Sequence, residues 1–524
     1  MVQAQACPQI EADAERELKA RLMDQKWRLN NLYSIINKEG RRVRFRMNQA
    51  QETLFDEMWY LNIILKARQF GGTTFTDIFY LDSCLFNSNH AAGIIAHHKD
   101  DAAKIFETKV LYPWRNMHPD LRRPATTETK HELVFDNNSS IRIGTSMRSS
   151  TLQKLHISEF GKICAKYPDK AKEIVTGALN TVQAGQIVTI ESTAEGRGGY
   201  FYEYCMEALR LQRAMKKLTA MDWKIFFFPW FDNPDYQMDP EGVVLTADNE
   251  QYFEELLVKS GIKLTDRQKA WYVKKQRMME AAGKDADSDG EDMKREYPGT
   301  PEEAFYASVA GAFYGKQMTK ARGEGRILDA LPHDPSCLVH TAWDIGFDCD
   351  AIWFFQVVGP WVHVIDYYET EGEGLPHCVG ILEEKREKFK YHYGRHFGPH
   401  DINNRDWGTA NERSDTARSL GINFTQIPRI LTQNDGIEAV RKTLPKCRFD
   451  AGKCDDGIKC LDSYRKEWDD ARGCFKSTPL HDWASHGAKA FESLVFGLKH
   501  VAAIASSGSG KSQNKWKASG GYGG

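Results

Sequence analysis

The chain has 524 residues, which is more than one hydrophobic core organises, and this length predicts two or three domains. Hydrophobic residues make up 41% and charged residues 27%, values typical of soluble globular proteins and not of chains that span membranes. The formal net charge of −2 excludes nucleic-acid binding through bulk charge, so any such binding must use local basic surfaces.

The N-terminal segment is charged and lacks the apolar core of a secretion signal, and no apolar run approaches the roughly 18 residues that span a bilayer. The 11 cysteines contain no CxxC pair. The densest group, Cys447, Cys454, Cys460 and Cys474, lacks the spacing of a zinc site. These features predict a cytoplasmic protein with reduced thiols and no membrane association.

The first half of the chain has the pattern of a helix-covered sheet. Residues 1–45 are highly charged and predicted to be helical. Residues 46–230 alternate helical stretches with short apolar runs, and this alternation predicts a largely parallel sheet. The candidate strands are Leu61–Lys66, Ala92–His97, Leu155–Ser158 and Gln186–Ser192. Residues 231–330 are polar and helical, and their acidic stretch Lys284–Asp292 is predicted to be a surface loop.

The second half has a different pattern. Three apolar runs separated by short turns predict an antiparallel meander over Leu338–Asp344, Ala351–Val358 and Trp361–Tyr368. A charged helix, Leu382–Tyr393, and a strand ending at His400-Asp401 follow. Three antiparallel strands, a helix and a fourth strand are the element order of the ribonuclease H-like fold. Residues 505–524 are of low complexity and predicted to be disordered.

A candidate phosphate loop, the segment Lys66–Thr74, follows the first strand directly. A glycine pair lets backbone N–H groups face phosphate oxygens, a helix N-terminus adds a favourable dipole, and a hydroxyl after the glycines can ligate Mg²⁺. The usual motif GxxxxGK[ST] has a lysine where this chain has Gly72. Positive charge must therefore come from Lys66 or Arg68. Taken alone, the segment fits a glycine turn without a ligand better.

Later strand ends supply the other groups that a nucleotide hydrolase needs. The strand Leu155–Ser158 is followed by Glu159, a carboxylate that can polarise the water attacking a γ-phosphate. Ser158 stands where an aspartate is expected, so metal coordination there would be indirect, through water. Small hydroxyl residues at the next strand end, in Glu191–Gly196, can sense the γ-phosphate. A glutamine ahead of the first strand, Gln51, can hydrogen-bond the edge of adenine.

In combination these motifs resemble the ATPase domain of the large subunit of tailed-bacteriophage terminases, whose phosphate loop often has the form KxRxxGx[ST]. The likeness extends to Phe227–Tyr236 and to Tyr297–Phe305, which closes a lid-like subdomain in that family. The resemblance implies ATP with Mg²⁺ as cofactor. It assigns adenine contact to Gln51, and it assigns phosphate contact to Lys66, Arg68, Gly71, Gly72, Thr73 and Thr74. Thr73 would also hold Mg²⁺, and Glu159 would be the catalytic carboxylate. Ser192 and Thr193 would form the coupling motif, and Arg148 would reach into a neighbouring subunit's site.

A second constellation consists of carboxylates at the ends of elements in the second half. Asp344 ends the first strand of the meander, Asp401 ends the fourth strand, and Asp482 opens a late helix. Carboxylates that are distant in sequence can converge on two divalent cations, which activate water and stabilise the leaving oxygen in phosphodiester cleavage.

This half resembles terminase nuclease domains, whose signatures are D-x-G, P-H-D and S-H-x-A-D-A. The last signature is Ser485–Ala490 here, and Lys489 stands where many relatives have aspartate. Asp482 is therefore expected to be the third ligand of the two Mg²⁺ or Mn²⁺ ions, with His486 as an accessory residue. A helical start would place both on one helix face.

The resemblance thus implies an α/β protein with an ASCE-type P-loop ATPase, a helical lid and a ribonuclease H-like nuclease. The expected segments are 1–45, 46–230, 231–330, 331–504 and 505–524. The implied function is a motor that translocates double-stranded viral DNA into the procapsid and cuts the concatemer. Its implied partners are the portal protein, the small terminase subunit and further copies in a ring of about five, in the host cytoplasm and transiently at the portal vertex. The alternatives are an ATP-dependent helicase or translocase without nuclease activity, and a non-enzymatic capsid or connector protein.

Overall fold

A computed structural model describes residues 8–147, 151–282, 291–306, 311–346, 349–403, 413–469, 472 and 474–508. The chain divides into two compact units, Met1–Ser308 and Val309–Gly524. The end of the expected lid segment, from residue 309 to 330, therefore belongs to the second unit. Most of the acidic stretch, together with Arg148 and the last 16 residues, lies outside the described residues. Among the residues that are described, no helix is both long and apolar enough to span a membrane.

The first unit contains helices and strands in alternation. Its helices are α1 Pro8–Met23, α2 Gln25–Leu32, α3 Gln49–Asp56, α4 Gly72–Phe86, α5 Lys99–Phe106, α6 Tyr112–Arg115, α7 Phe160–Lys166, α8 Pro168–Glu173, α9 Tyr200–Arg213, α10 Ala247–Ser260, α11 Asp266–Ala282, α12 Glu291–Glu296 and α13 Pro301–Tyr306. Its strands are β1 Ser34–Ile36, β2 Arg42–Arg44, β3 Leu61–Lys66, β4 Ala91–Ile95, β5 Ala125–Glu128, β6 Glu132–Phe135, β7 Ser140–Gly144, β8 Leu152–Ser158, β9 Val182–Ser192 and β10 Trp223–Phe228.

The strand order explains where the first site lies. Within the described residues, an eight-stranded sheet has the order β10-β3-β9-β8-β4-β7-β6-β5, and its pairs from β10 to β7 are parallel. The strand β9 thus lies between the phosphate-loop strand β3 and the acidic strand β8, as in ASCE-type P-loop folds. The carboxyl ends of these three strands meet at one edge of the sheet.

The core of this sheet follows from the sequence of its central elements. Five of the six residues of β3 are buried, and its run of Ile63, Ile64 and Leu65 is apolar on both faces, as a helix-covered parallel strand requires. The helix α4 is buried around most of its circumference. The strand β10, Trp223–Phe228, was not among the predicted strands, and it is aromatic where β3 is aliphatic. Its aromatic run is short and continuous, so the spacing of its apolar residues does not distinguish a strand from a helix.

The N-terminal segment is only partly the helix that was expected. It forms α1 and α2, but the chain then turns into an antiparallel hairpin of β1 and β2. An Asn37–Gly40 turn joins these strands, with Gly40 at a φ of 74°. The helical prediction therefore holds for α1 and α2 and fails for the hairpin of β1 and β2.

An aromatic cluster joins two segments that were singled out in the sequence, Phe227–Tyr236 and Tyr297–Phe305. Trp230 is fully buried and stacks on Trp271 with ring centroids 5.6 Å apart, and Tyr236 stacks on the same ring at 4.2 Å. The Tyr236 hydroxyl donates to the backbone oxygen of Arg68 at 2.7 Å. The cluster therefore anchors the helical subdomain onto the phosphate loop.

The second unit is built on another sheet. Its strands are β11 Ile327–Leu328, β12 Val339–Ile345, β13 Cys349–Val358, β14 Trp361–Glu371, β15 Tyr393–Gly398, β16 Phe424–Gln426, β17 Cys447–Asp450, β18 Lys466–Asp469 and β19 Cys474–Pro479. Its helices are α14 Gly315–Gly323, α15 Leu375–Phe389, α16 Arg413–Ser419, α17 Gln433–Thr443, α18 Asp455–Ser463 and α19 Ala484–Gly508.

The predicted meander and fourth strand are confirmed. The described part of the second unit contains a seven-stranded sheet of order β11-β17-β14-β13-β12-β15-β16, in which β12, β13 and β14 are antiparallel and β15 runs parallel to β12. This is the ribonuclease H-like arrangement with two added edge strands. The helix between β14 and β15 begins earlier than expected, because Gly374 caps it and Pro376 occupies its first turn.

Candidate functional site

The phosphate loop joins β3 to α4 through a left-handed residue, Gly71, with a φ of 76°. The side-chain amide of Gln51 fixes this turn by donating to the Gly71 backbone oxygen at 2.8 Å. Its carbonyl oxygen accepts the backbone N–H of Asn48 at 3.0 Å, which completes a capping box on α3. Because both ends of the Gln51 amide bind the protein, the structure gives it a loop-supporting position, and its adenine contact stays a prediction.

The two candidate cations have separate surroundings. Lys66 is buried, and its Nζ lies 3.3 Å from Glu191 Oε2 and 3.8 Å from Glu159 Oε1. Burial alone would lower the pKa of Lys66, but the two carboxylates outweigh it and raise that pKa. Arg68 is half-exposed and forms a bidentate ion pair with Glu296 of α12. The structure therefore places Lys66, and not Arg68, among the acidic groups of the strand ends.

Glu159 lies directly after β8, in the left-handed region with a φ of 56°. Its Oε2 is 2.8 Å from Lys162 Nζ, and its side chain is partly exposed. A non-glycine residue at positive φ carries backbone strain, which is found most often where a side chain must be aimed at a ligand. The sequence-predicted catalytic carboxylate is therefore at the loop edge, beside Lys66.

A second acid, Glu191, lies at the centre of the site and was not among the predicted site residues. Its side chain is fully buried at the end of β9 and accepts hydrogen bonds from the hydroxyls of Thr73 and Ser158, the latter at 3.2 Å. Burial would raise the pKa of Glu191, but Lys66, His156 and Thr73 hold it well below its usual range. Its position at a strand end, in the quoted segment Glu191–Gly196, was the only signal in the sequence.

The predicted coupling residues lie next to these acids. Ser192 and Thr193 are buried, and among the described residues their hydroxyls have no hydrogen-bond partner. A Cβ on Gly161 would lie 2.8 Å from Ser192 Oγ, so this glycine lets α7 approach the end of β9 closely. The helix that follows Glu159 therefore packs directly on the coupling segment.

These residues fit a magnesium-bound nucleoside triphosphate. Within the described residues no side chain caps the first turn of α4, so its backbone N–H groups face the loop as an anion site requires. Thr73 supplies a hydroxyl ligand, Lys66 supplies positive charge, and the two carboxylates supply the negative charge that a divalent cation needs. Thr74 follows in the same first turn. The predicted residue Arg148 lies outside the described residues.

In the second unit, sheet pairing brings two of the predicted carboxylates together. The strands β12 and β15 are parallel neighbours, with Ala342 opposite Phe397. Asp344 and Asp401 follow at the same edge and line one cleft of about 250 Å³. His486, at the start of α19, places its Nδ1 3.1 Å from Asp344 Oδ2. Asp344 therefore shares a cleft with Asp401 and contacts His486, and the metal role of these residues stays a prediction.

Asp482 is placed elsewhere, which corrects its expected position. Its Oδ2 lies 3.1 Å from the guanidinium of Arg465, and its Oδ1 accepts the backbone N–H of Ala484 at 3.1 Å. Asp482 is not among the residues that line the two described clefts around Asp344. The physical reason is that an acid at the start of a helix is drawn to the unpaired N–H groups of its first turn.

Glu492 is the third carboxylate in the lining of this cleft. It is buried on α19, lines the same cleft as Asp344 and Asp401, and accepts hydrogen bonds from Lys489 Nζ at 3.0 and 2.9 Å. Burial raises the pKa of Glu492, and the charge of Asp344 adds to that rise against the opposing effect of Lys489. The i,i+3 spacing of Lys489 and Glu492 on one predicted helix was the available signal.

The cleft offers the type of ligand that divalent cations prefer, but among the described residues no three acidic, histidine or cysteine side chains are grouped closely enough to hold a metal ion. Asp344, Asp401 and Glu492 supply carboxylate oxygens, the ligands that Mg²⁺ and Mn²⁺ prefer, at the open edge of a sheet. The charge of Lys489 balances Glu492 in the structure and would compete with a cation for the same oxygens. The three carboxylates outnumber the one ammonium group, so the lining of the cleft carries a net negative charge.

No family model and no curated protein matches the chain. Among solved structures it is similar to the large terminase of bacteriophage HK97, at 11% identity over 91% of this chain and 99% of that one, with a TM-score of 0.42. It is also similar to the large terminase of a thermophilic bacteriophage in complex with ADP, at 13% identity over 86% and 98% with a TM-score of 0.30. The nuclease domain of the bacteriophage SPP1 large terminase, with bound Mn, matches at 12% identity over 33% and 95% with a TM-score of 0.25. These three solved structures are thus two large terminases and the nuclease domain of a third.

Proposed function

We propose that this chain is a terminase large subunit, an ATP-hydrolysing motor for double-stranded DNA that also cuts DNA with a divalent-metal nuclease. One observation carries the proposal: each unit gathers the acids of neighbouring strand ends at one sheet edge. In the first unit these acids adjoin Lys66 and Thr73 beside a glycine turn. In the second they line an open cleft without a phosphate loop.

The first unit would bind ATP with Mg²⁺ at the start of α4. Lys66 would neutralise phosphate charge, and Thr73 would hold Mg²⁺ with its hydroxyl oxygen. The bound ion would withdraw charge from the phosphate oxygens. Glu159 would accept the proton of the attacking water, which its partly exposed position at the loop edge permits. Ser192 and Thr193 would transmit the loss of the γ-phosphate, because they follow Glu191 directly and lie against Gly161 of α7 through the Ser192 hydroxyl and the Thr193 backbone oxygen.

The second unit would cleave phosphodiesters with two divalent cations held by Asp344, Asp401 and Glu492. The ions would supply an activated water and stabilise the leaving oxygen. His486 would orient Asp344 through its Nδ1, because the two side chains are 3.1 Å apart. Asp482 would keep a structural role, as a helix cap paired with Arg465.

The partners follow from the sequence resemblance to terminases and belong to the proposal. The motor would act with the portal protein and a small terminase subunit, as a ring of about five copies. It would work in the host cytoplasm and bind transiently at the portal vertex. Arg148 would stabilise the transition state in a neighbouring copy's site.

Paired activity assays test the two units separately. Glu159→Gln should bind ATP but lose turnover by orders of magnitude, and it should keep Mn²⁺-dependent plasmid cleavage. Asp344→Asn should abolish cleavage and keep ATP turnover. ATP turnover without any cleavage by the wild type would favour the helicase or translocase alternative. Absence of both activities in folded protein would favour the connector alternative.

A mixing experiment tests the arginine. Arg148→Ala and Glu159→Gln proteins are each expected to be inactive, and their mixture should regain partial ATP turnover where an intact arginine meets an intact glutamate. Verified mixed assembly without recovered turnover would contradict action across a subunit boundary.

A further inference from the structure

One position in the nucleotide site departs from the usual P-loop arrangement. What we infer from it rests on the proposed ATPase function. In P-loop hydrolases the Mg²⁺ is held between the hydroxyl of the loop and an aspartate at the end of the acidic strand. That strand is β8 here, and its corresponding residue is Ser158, which carries no charge. The question is which group of this chain supplies the missing carboxylate.

The neighbouring strand β9 supplies a carboxylate at this place, that of Glu191. Ser158 and Glu191 are direct partners in the parallel pair of β8 and β9. The Thr73 hydroxyl donates to Glu191 Oε1, and Ser158 Oγ donates to the same oxygen at 3.2 Å. The carboxylate that binds the loop hydroxyl thus comes from β9, one strand closer to the loop.

The glycine in place of the usual lysine makes room for this carboxylate. A Cβ on Gly72 would lie only 2.7 Å from Glu191 Oε2, so a side chain there would displace the acid. Lys66 reaches the same oxygen from β3 at 3.3 Å. The glycine at 72, the serine at 158 and the upstream lysine are therefore parts of one rearrangement around Glu191.

A buried pair behind the acid holds it in place. His156 Nδ1 lies 2.7 Å from Asp77 Oδ1, and His156 Nε2 lies 3.4 Å from Glu191 Oε1. All three side chains are fully buried. Although burial opposes protonation, Asp77 and Glu191 raise the pKa of His156 to about 9. The histidine therefore faces Glu191 from the interior and is itself held by Asp77.

We propose that Glu191 is the positioning carboxylate of the nucleotide site, orienting the Thr73 hydroxyl on Mg²⁺ in place of the absent strand-end aspartate, and that Asp77 and His156 fix Glu191. Glu159 keeps the separate task of accepting a proton from water. The site would then use acids from two adjacent strands, one buried for the metal and one partly exposed for the water.

The test measures Mg²⁺ dependence in the full chain. We expect Glu191→Gln to raise the Mg²⁺ concentration that half-saturates binding of a fluorescent ADP analogue by about 10- to 100-fold. Binding of the analogue in EDTA should change little. Glu191→Asp keeps the buried charge but shortens its reach, so it should fold and show the same shift. Glu207→Gln, at an exposed carboxylate, serves as the matched control.

A charge-relocation variant separates positioning from folding. Ser158→Asp combined with Glu191→Gln returns the acid to β8, and it should recover most of the lost Mg²⁺ affinity and ATP turnover. A folded Glu191→Gln or Glu191→Asp protein with the wild-type Mg²⁺ midpoint would overturn the inference, as would a folded double variant without recovery. A wild type that neither binds nor hydrolyses ATP would instead overturn the proposed function.

Discussion

The two candidate sites solve the same electrostatic problem in opposite ways. In the first unit, Lys66, Glu191 and His156 form a closed ion cluster whose side chains are nearly or fully excluded from solvent. In the second, Asp344 and Lys489 are partly exposed, and the acids border an open cleft. Each site has another residue where the motifs discussed above have an aspartate: Ser158 in the first and Lys489 in the second. Each also has a glutamate nearby, Glu191 in the first and Glu492 in the second.

The cost of replacing a charged partner depends on its exposure to solvent. A buried charge must keep its partner, because low surrounding polarity makes an unpaired ion very unfavourable. In the second site, Lys489 is partly exposed although its partner Glu492 is buried, so a cation arriving from the open cleft can take the place of the lysine. The first site should therefore resist change, whereas the second should accept a metal ion in place of its lysine.

The largest effect is expected from Lys66→Ala. It leaves Glu191 buried without its nearest cation and should lower the free energy of unfolding by roughly 3–5 kcal/mol, besides abolishing ATP turnover. Arg68→Ala removes a half-exposed guanidinium, and its buried partner Glu296 keeps Arg295 at 3.6 Å, so the change should cost only about 1 kcal/mol. Urea unfolding and ATPase assays on both variants measure this contrast. Equal destabilisation by the two changes would remove the distinction between their surroundings.

The next effect is a pH dependence of the buried cluster. The pKa of His156 is raised from 6.5 to about 9 in the folded state, so its contribution is complete below pH 6.5 and lost as pH rises through 9. Stability of the first unit should fall by roughly 3 kcal/mol at most across that range. His156→Gln should remove this slope, whereas His131→Gln, at an exposed residue, should keep it. The urea concentration at the midpoint of unfolding, measured at pH 6.5 and pH 9 for each variant, tests this prediction. An unchanged dependence of stability on pH in His156→Gln would contradict it.

Metal affinity distinguishes the two acids proposed for the second site. Glu492→Gln should weaken Mn²⁺ binding by at least about tenfold and abolish plasmid cleavage. Asp482→Asn should leave Mn²⁺ affinity near that of the wild type and lower stability instead, because Asp482 pairs with Arg465. Calorimetric titration with Mn²⁺ measures both variants. The reverse pattern would restore Asp482 as the third ligand.

The smallest effect is expected from Lys489→Met. Removing a partly exposed ammonium that competes for Glu492 should strengthen Mn²⁺ binding by roughly two- to fivefold. The gain should shrink as salt screens the pair in the wild type. Lys499→Met changes a lysine on the same helix that does not line the described clefts, and it should alter nothing. Weaker Mn²⁺ binding in Lys489→Met would mean that the lysine supports the metal site.

Local pattern was sufficient for several elements. The strand β3 and the start of α4 follow from an apolar run, a glycine pair and a helical stretch that are adjacent in the chain. Asp344 and Asp401 were predicted from their positions at strand ends, and parallel pairing makes such ends meet. Glu159 follows from the same argument. These features depend on short-range geometry, which the sequence states directly.

The tertiary structure alone decided which groups share a site. Nothing local indicates that β9 lies beside both β3 and β8, and that order is what brings Glu191 to Thr73 and Ser158. Lys66 and Arg68 are equivalent in the sequence, but partners distant in the chain separate them, Glu191 for one and Glu296 for the other. Strand order and side-chain pairing depend on long-range packing, so the acids were predictable as residue types and strand ends, and their partners were not.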